Sequence, residues 1–392
     1  MSDYTSFDWT QSGIKNTFRF EAVDSKDPAI HICDLEGVTG GKLTQSYRGD
    51  YRSSASLDLD GTEIPNHCAI RIHHTASAGN QQPVENILAT LVPQPPSRTL
   101  TRGRITGTVE LYSAMKSLDG DLVTANSIIP VQAKNQSTGK YEPVIAWKKF
   151  KSIVNNSGQP ARIDSGIQSA NVTMKSAWTW EHGKSALTAA QKMADICSGY
   201  IEIDNEGYVC LIPYENPSNR TTGGTISTGI NSLILLGVTL SQGDICNKVL
   251  CSYEKSSGDT KKTYSKQAVL DPTHPWSFQN IGRWCAEEIQ APSTIDDDTV
   301  EEDINKLLEK EVKKSLNSKA SYKRTFGVNM LYTPSVDVGN AMRLHYQDSA
   351  NGEVIDANVF ISQRDITLDA SMQMELTCEE RWTNTGDTLA VS

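Results

Sequence analysis

Apolar positions along this chain follow two different periods, and the change between them is sharpest near the middle. In the stretch from Ser185 to Pro217, SALTAAQKMADICSGYIEIDNEGYVCLIPYENP, the residues Leu187, Ala190, Met193, Ala194 and Cys197 recur at helical spacing. This predicts a short helix with one apolar face. Gly199 stands where a left-handed residue would close it. Alternation then takes over. Ile201 and Ile203 point one way and Glu202 the other, Asp204-Asn205-Glu206-Gly207 supplies a turn, and Tyr208 to Ile212 returns as a second strand. Pro213 and Pro217 end the sheet.

The flanks of this unit are richer in alternation. Between residue 14 and about residue 115, Phe18, Phe20 and Ala22 alternate with Arg19 and Glu21, and Ile30 and Ile32 with His31. Further strands are expected over Leu43–Tyr47, Ser54–Leu59, Cys68–Ile72 and Thr106–Leu111, separated by Gly37, Gly40 and Gly41 and by Pro93, Pro95 and Pro96. Short strands broken by turns at this frequency suggest a small barrel or sandwich. Leu111, Met115 and Leu118 lead out of it as a helical pattern. The texture from 119 to 217 is mixed: Val144–Val154 reads as helical, Arg162–Ile167 as a loop and Val172–Met174 as a short strand. Leu233–Leu240 and Asp244–Tyr253 read as strands. Ser277 is placed to cap a helix through Phe278, Ile281, Cys285 and Ile289. Thr299-Val300-Glu301-Glu302 fits a capping box ahead of the stripe Ile304, Leu307, Leu308 and Val312, braced by Glu302–Lys306 and Glu309–Lys313. Strands return over Phe326–Tyr332, Ala341–Tyr346, Val359–Leu368 and Met372–Glu379, and Asn384–Ser392 is expected to fray.

Length and composition narrow the class. A chain of 392 residues is expected to hold about two to four domains at the usual ~100–200 residues each. With 38% apolar and 21% charged residues it reads as a globular protein with a polar surface. No apolar run approaches the ~20 residues that a membrane helix needs. The start MSDYTSFDWT has neither a basic segment nor an apolar core, so synthesis in the cytoplasm without a secretory signal is expected. A net charge of −10 argues against a protein that coats nucleic acid by neutralising phosphates.

Candidate chemistry is sparse. The eight cysteines form no C-x-x-C pair; Cys246 and Cys251 lie close in sequence but have no second pair to complete a zinc site. His67-Cys68 and His73-His74 come nearest to a catalytic or metal cluster, yet neighbours in a strand face opposite ways, so His73 and His74 should diverge. Asp296, Asp297 and Asp298 with Glu301, Glu302 and Asp303 lack the spacing of a calcium loop and suit a helix start. Trp178 and Trp180, with Trp276 and Trp284, could stack a sugar if exposed, though packing is the simpler use. No H-E-x-x-H or G-x-S-x-G motif occurs. No catalytic, cofactor-binding or metal residues are therefore assigned, and no cofactor is expected.

The order of these elements resembles the hub proteins at the tip of phage tails, both the contractile-phage baseplate hub and the N-terminal hub region of siphophage tail-associated lysins. Three stretches carry the likeness: Leu35–Gly61 (LEGVTGGKLTQSYRGDYRSSASLDLDG), the central helix and hairpin, and the run from NKVLCSYEK through SFQNIGRWCAEEI to PSVDVGNAMRLHY. The family often has Gly-Asp in the last of these, where this chain has Gly339-Asn340. The resemblance implies an α+β, β-rich fold with two small tube-type β-barrel domains and mixed α/β domains between them. Its expected divisions are a first barrel over 1–116, an α/β domain over 117–217 and strands lent to the second barrel from 218–240. A strand-helix-helix domain follows over 241–324, then the second barrel over 325–383 and a flexible tail over 384–392. The two β-rich ends could be distant structural copies.

The resemblance further implies a structural, non-enzymatic protein of the virion tail tip. It would be a homotrimer whose barrels form a pseudo-sixfold ring between the hexameric tail tube and a threefold tip. Its partners would be distal tail or tail-tube proteins, the C-terminus of a tape-measure protein, and receptor-binding or fibre proteins. DNA would meet it only in transit, and no stable membrane insertion is implied. Two alternatives remain: a tail-associated peptidoglycan hydrolase, against which stands the early end of the chain after the second barrel, and a host-glycan-binding tail protein.

Overall fold

The computed structural model describes residues 7–9, 13–47, 49–79, 81–101, 104–135, 137, 139–215, 220–227, 235–241, 246–257, 260–274, 276–292, 295, 299–320, 322–347, 352, 354–381 and 390–391. The N-terminal β unit consists of β1 (Lys15–Asp24), β2 (His31–Asp34), β3 (Val38–Ser46), β4 (Ser53–Asp60), β5 (Cys68–Ser77), β6 (Val84–Pro93), β7 (Ser97–Thr101) and β8 (Arg104–Tyr112). Alternation decides which residues go inside: Phe20 and Ala22 of β1, Ala55, Leu57 and Leu59 of β4, and Val109 and Leu111 of β8 are all buried in one core. Gly41 is required by close approach. A Cβ there, at φ +155°, would lie 2.2 Å from the Ser56 carbonyl oxygen of the paired strand β4.

The insert contains α1 (Ala114–Gly120), β9 (Ser127–Ile129), β10 (Gln132–Lys134), β11 (Tyr141–Pro143), α2 (Ala146–Asn156), β12 (Ala161–Ile163), α3 (Ser165–Ala170), β13 (Trp178–Trp180), α4 (Ala186–Ile196), β14 (Gly199–Ile203) and β15 (Val209–Pro213). The central helix-hairpin forms as its pattern predicts. Ser185 caps α4 by accepting from the Thr188 N–H, and Leu187, Ala190, Met193 and Ala194 are buried beneath it. Its ending differs from expectation. Ser198, at φ +52°, is the left-handed residue, and Gly199 already opens β14. Gly199 answers to packing instead, since a Cβ there would lie 2.8 Å from Leu211 Cδ1. The expected strand at Val172–Met174 is only an isolated bridge between Ile145 and Thr173, and the expected loop 162–167 begins with β12 and enters α3.

Beyond it lie β16 (Thr222–Ser227), β17 (Leu235–Ser241), β18 (Lys248–Ser257), β19 (Thr260–Val269), α5 (Phe278–Ile281), β20 (Ala286–Gln290), α6 (Glu301–Ala320), β21 (Tyr322–Leu331), β22 (Ala341–Gln347), β23 (Val354–Thr367), β24 (Gln373–Arg381) and β25 (Ala390–Val391). The helix expected from Ser277 to Ile289 is corrected: α5 stops at Gly282, which takes φ +71°, and β20 then pairs in parallel with β18. α6 buries Ile304, Leu308, Val312 and Leu316 against β18 and β19, and its expected pairs form at 2.6 Å (Lys306–Glu302) and 2.7 Å (Lys313–Glu309). The expected tail 384–392 falls mostly outside the described residues; of it, Ala390 and Val391 pair with β19 as a strand.

The fold is β-rich α+β. β16, β17 and β21–β24 form a second β unit, and β23 pairs antiparallel with β3 from Gln363↔Ser46 to Thr367↔Lys42. This seam joins both units into one 14-stranded sheet over a shared core. Along the sheet the first unit runs β3-β4-β8-β6-β5-β1, with β2 beyond β1 and β7 on β8; the second runs β17-β21-β24-β23-β22-β16. With β2 and β7 set aside, these are the same order: the second strand in the chain, then the third, sixth, fifth, fourth and first. One direction differs, since β1 is antiparallel to β5 whereas β16 is parallel to β22.

Candidate functional site at the seam

The seam is held by more than its ladder. Arg364 on β23, only 3% exposed, donates from Nε to Gln45 Oε1 of β3 at 2.7 Å and from Nη1 to the Val336 carbonyl at 3.1 Å. Its Nη2 lies 3.0 Å from Asp337, and Lys42 of β3 reaches Asp365 of β23 at 2.8 Å. A guanidinium taken out of water is tolerable when its donors are satisfied in this way.

The insert docks where β3 leaves the seam. Tyr200 of β14 stacks on Tyr47 with ring centroids 5.1 Å apart, and its hydroxyl donates to the Tyr47 carbonyl, as does Arg52. Phe360 of β23 meets Tyr47 edge-on at 4.9 Å, and Arg220 donates to the Gly339 carbonyl with its guanidinium 5.1 Å from the Tyr47 ring. Burial pushes the Tyr200 phenol up, so it stays a neutral donor. The hairpin turn predicted at Asp204–Gly207 seats on β6: Gly207 has φ +96°, and Thr90 donates to the Asn205 carbonyl at 2.8 Å. These contacts fix the insert against the first β unit, and Tyr47, which also meets Phe360, links it to the second. They contain no nucleophile–base pair.

The residues singled out in the sequence do not converge. His67 is exposed ahead of β5, whereas Cys68 is buried, its thiol pushed up to about 11 by burial, which is the opposite of an activated nucleophile. His73 and His74 diverge as expected. His73 joins a polar cluster with Glu21 (2.7 Å) and Glu85 (2.9 Å), while His74 lies among Phe18, Trp9 and Tyr332. Burial alone lowers the His74 imidazole to about 4. Cys246 and Cys251 are buried free thiols. Trp178 and Trp180 pack against the insert's core and Trp276 against that of α6. Trp284 alone of the four is exposed, at 48%, and Phe278 stacks on it at 4.7 Å. Asp296–Asp298 lie outside the described residues, and among the described residues no group of three His, Cys, Asp or Glu is placed to hold a metal.

Sequence reasoning missed the cluster around Glu21. His31 (2.8 Å) and His73 hydrogen-bond its carboxylate, Arg71 lies 3.7 Å away, and Arg19 bridges Asp34 and Glu85 at 3.2 Å each. Burial works to raise the Glu21 carboxyl, but the two histidine hydrogen bonds and Arg71 outweigh it and hold the group below its usual range. The signal was present as the alternation of Arg19 and Glu21 opposite Phe18 and Phe20; what it lacked was the identity of the paired strand.

In sequence the chain matches no protein family and no curated protein. In structure it resembles the tail protein from Neisseria meningitidis MC58, with TM-score 0.59, 13% identity, and 94% of this chain and 98% of that one covered. The 43 kDa tail protein of prophage MuSo2 from Shewanella oneidensis gives 0.55, 11%, 93% and 98%. The fold is that of a prophage tail protein. The same tail-protein fold extends into the Francisella PdpA–VgrG complex in its half-lidded form, with TM-score 0.53 and 10% identity over 96% of this chain and 59% of that one. Among the described residues no helix is long and apolar enough to cross a membrane.

Proposed function

We propose that this chain is a structural, non-enzymatic hub of a phage tail tip or baseplate. Three copies form a pseudo-sixfold ring from two tube-type barrel domains per chain, joining a hexameric tail tube to a threefold tip and lining the path of the DNA. The observation that carries this reading is the repeated strand order of two β units fused edge to edge in one chain. A subunit holding two equivalent units is what a threefold object needs in order to meet a sixfold one. The likeness to tail proteins over nearly the whole chain supports the setting. In it, the partners are tail-tube or distal tail proteins, the end of a tape-measure protein as a plug, and fibre or receptor-binding proteins.

A particle reconstruction at the tail tip tests the proposal. Three copies per tip with neighbour contacts are expected, each interface above ~2,000 Å². Six copies, an isolated monomer, or a continuous Lys/Arg belt around the channel would each overturn it, the last because such a belt would hold passing phosphates.

The exposed Trp284–Phe278 pair favours a second reading, a host-glycan contact on the α6-containing domain. Trp284→Ala should abolish binding on a host-glycan array if that reading holds, and an array with no binding by the parent chain removes it.

A further inference from the structure

Within the chain the two β units meet through one particular pair of edges: the outer edge of β3 and the second half of β23. The repeated strand order gives each edge a counterpart. β17 holds the place of β3, next to β21 as β3 is next to β4. The counterpart of the second half of β23 is β7. β23 follows β24 from Val359 to Ile366, whereas β6 follows β8 only at Val92 and Pro93. Gln94 then donates to the Glu110 carbonyl at 2.8 Å and, past Pro95-Pro96, β7 resumes along β8 from Ser97↔Thr108 to Thr101↔Arg104. β6 and β7 together therefore retrace β23, interrupted by two prolines. Among the described residues β7 pairs with β8 alone and β17 with β21 alone. The described residues thus leave open one edge of each kind that the chain joins internally.

We infer that β7 of one copy pairs antiparallel with β17 of the next, repeating between chains the contact that β23 and β3 make within one. The inference rests on the ring proposed above and names the edges that close it. An open strand edge is a template for another strand, and a contact between two different edges is head-to-tail, so it propagates from chain to chain until the ring shuts. The internal register carries over. Ser54–Asp60 of β4 corresponds to Thr325–Leu331 of β21, because Ala55↔Leu111 and Leu57↔Val109 in the first unit match Phe326↔Cys378 and Val328↔Leu376 in the second, all buried. Transferring Ile366↔Leu43 and its neighbours on that basis sets Ser97 opposite Ser241 and Thr99 opposite Thr239. Thr99 and Thr239 are both exposed in the single chain, as a position waiting for a partner should be.

The test uses the full chain carrying Thr99→Cys and Thr239→Cys, oxidised and read by native mass and by mass spectrometry of linked peptides, with each single variant as control. A trimeric mass with a 99–239 link between chains is the expected result. A trimer without that link, or linked elsewhere, overturns the edge pairing and leaves the ring standing. A chain that stays monomeric and unlinked at its highest soluble concentration sinks both. In a second arm, Thr99→Asp with Thr239→Asp should abolish the trimeric mass, because like charges facing across a strand pair repel, and Thr99→Asp with Thr239→Lys should restore it. Equal masses for the two pairs would contradict the register.

Discussion

Arg364 and His74 are both buried, and they answer to opposite rules. Arg364 is tolerated inside because Gln45 across the seam and Val336 and Asp337 on its own side satisfy its donors. Arg364→Ala should lower stability by about 2–3 kcal/mol, below the full cost of breaking a buried pair because Asp337 is half exposed and can return to water; a urea midpoint with unchanged slope is the readout. Arg364→Lys, which keeps charge but loses the fork, should cost less than the alanine. His74, by contrast, stays neutral in its aromatic surroundings, with Asn16 at 3.0 Å. Its folded value is depressed to about 4, so the proton favours the unfolded chain. The stability this residue supplies is complete above its ordinary value near 6.5 and is lost as pH falls from there to about 4, amounting to about 3 kcal/mol. His74→Phe should flatten that part of a melting-temperature profile, and an unchanged slope would mean the imidazole is not the titrating group. The divergence of His73 and His74 was legible from strand alternation. The seat of Arg364 was not, because its partners lie far away in the chain.

At the level of elements, legibility followed the length and regularity of the pattern. α4 and α6 carry apolar residues at helical spacing through several turns, and both formed where the spacing puts them. The run after Ser277 also had helical spacing, at Phe278, Ile281, Cys285 and Ile289, yet Gly282 takes a left-handed conformation and the rest extends onto β18. A glycine inside a helical pattern was the warning sign there. Since α6 has all of Ile304, Leu308, Val312 and Leu316 buried, Leu308→Ala should cost about 2–5 kcal/mol and loosen the β18–β19 layer. Hydrogen exchange would show reduced protection in that layer, and protection left intact would place the helix outside its core. Gly41 is the matching test in the sheet. Gly41→Ala forces β3 off β4 at Ser56 and should cost about 1–3 kcal/mol, read as a drop in the urea midpoint.

For the whole molecule, the order of β-rich and mixed segments could be read in the sequence, and so could the presence of two β-rich ends. Their fusion could not. Alternation tells which face of a strand is buried but not which strand lies beside it, and β3 and β23 are separated by nearly the entire chain. If the chain is the structural hub proposed above, it should not clear host cell walls. Zymography beside a known lysin tests this, and a clearing band at the mass of the chain would contradict the structural reading. The seam would have one more effect, on how the proposed ring is assembled. Because β3 and β23 belong to one polypeptide, they meet at the effective concentration of a tethered pair rather than at that of free subunits. In the ring proposed above, six units carried on three chains would then require two associations instead of five. Each association avoided spares its translational and rotational entropy, an estimated 4–15 kcal/mol, so the proposed ring would close at a far lower concentration than one built from separate units.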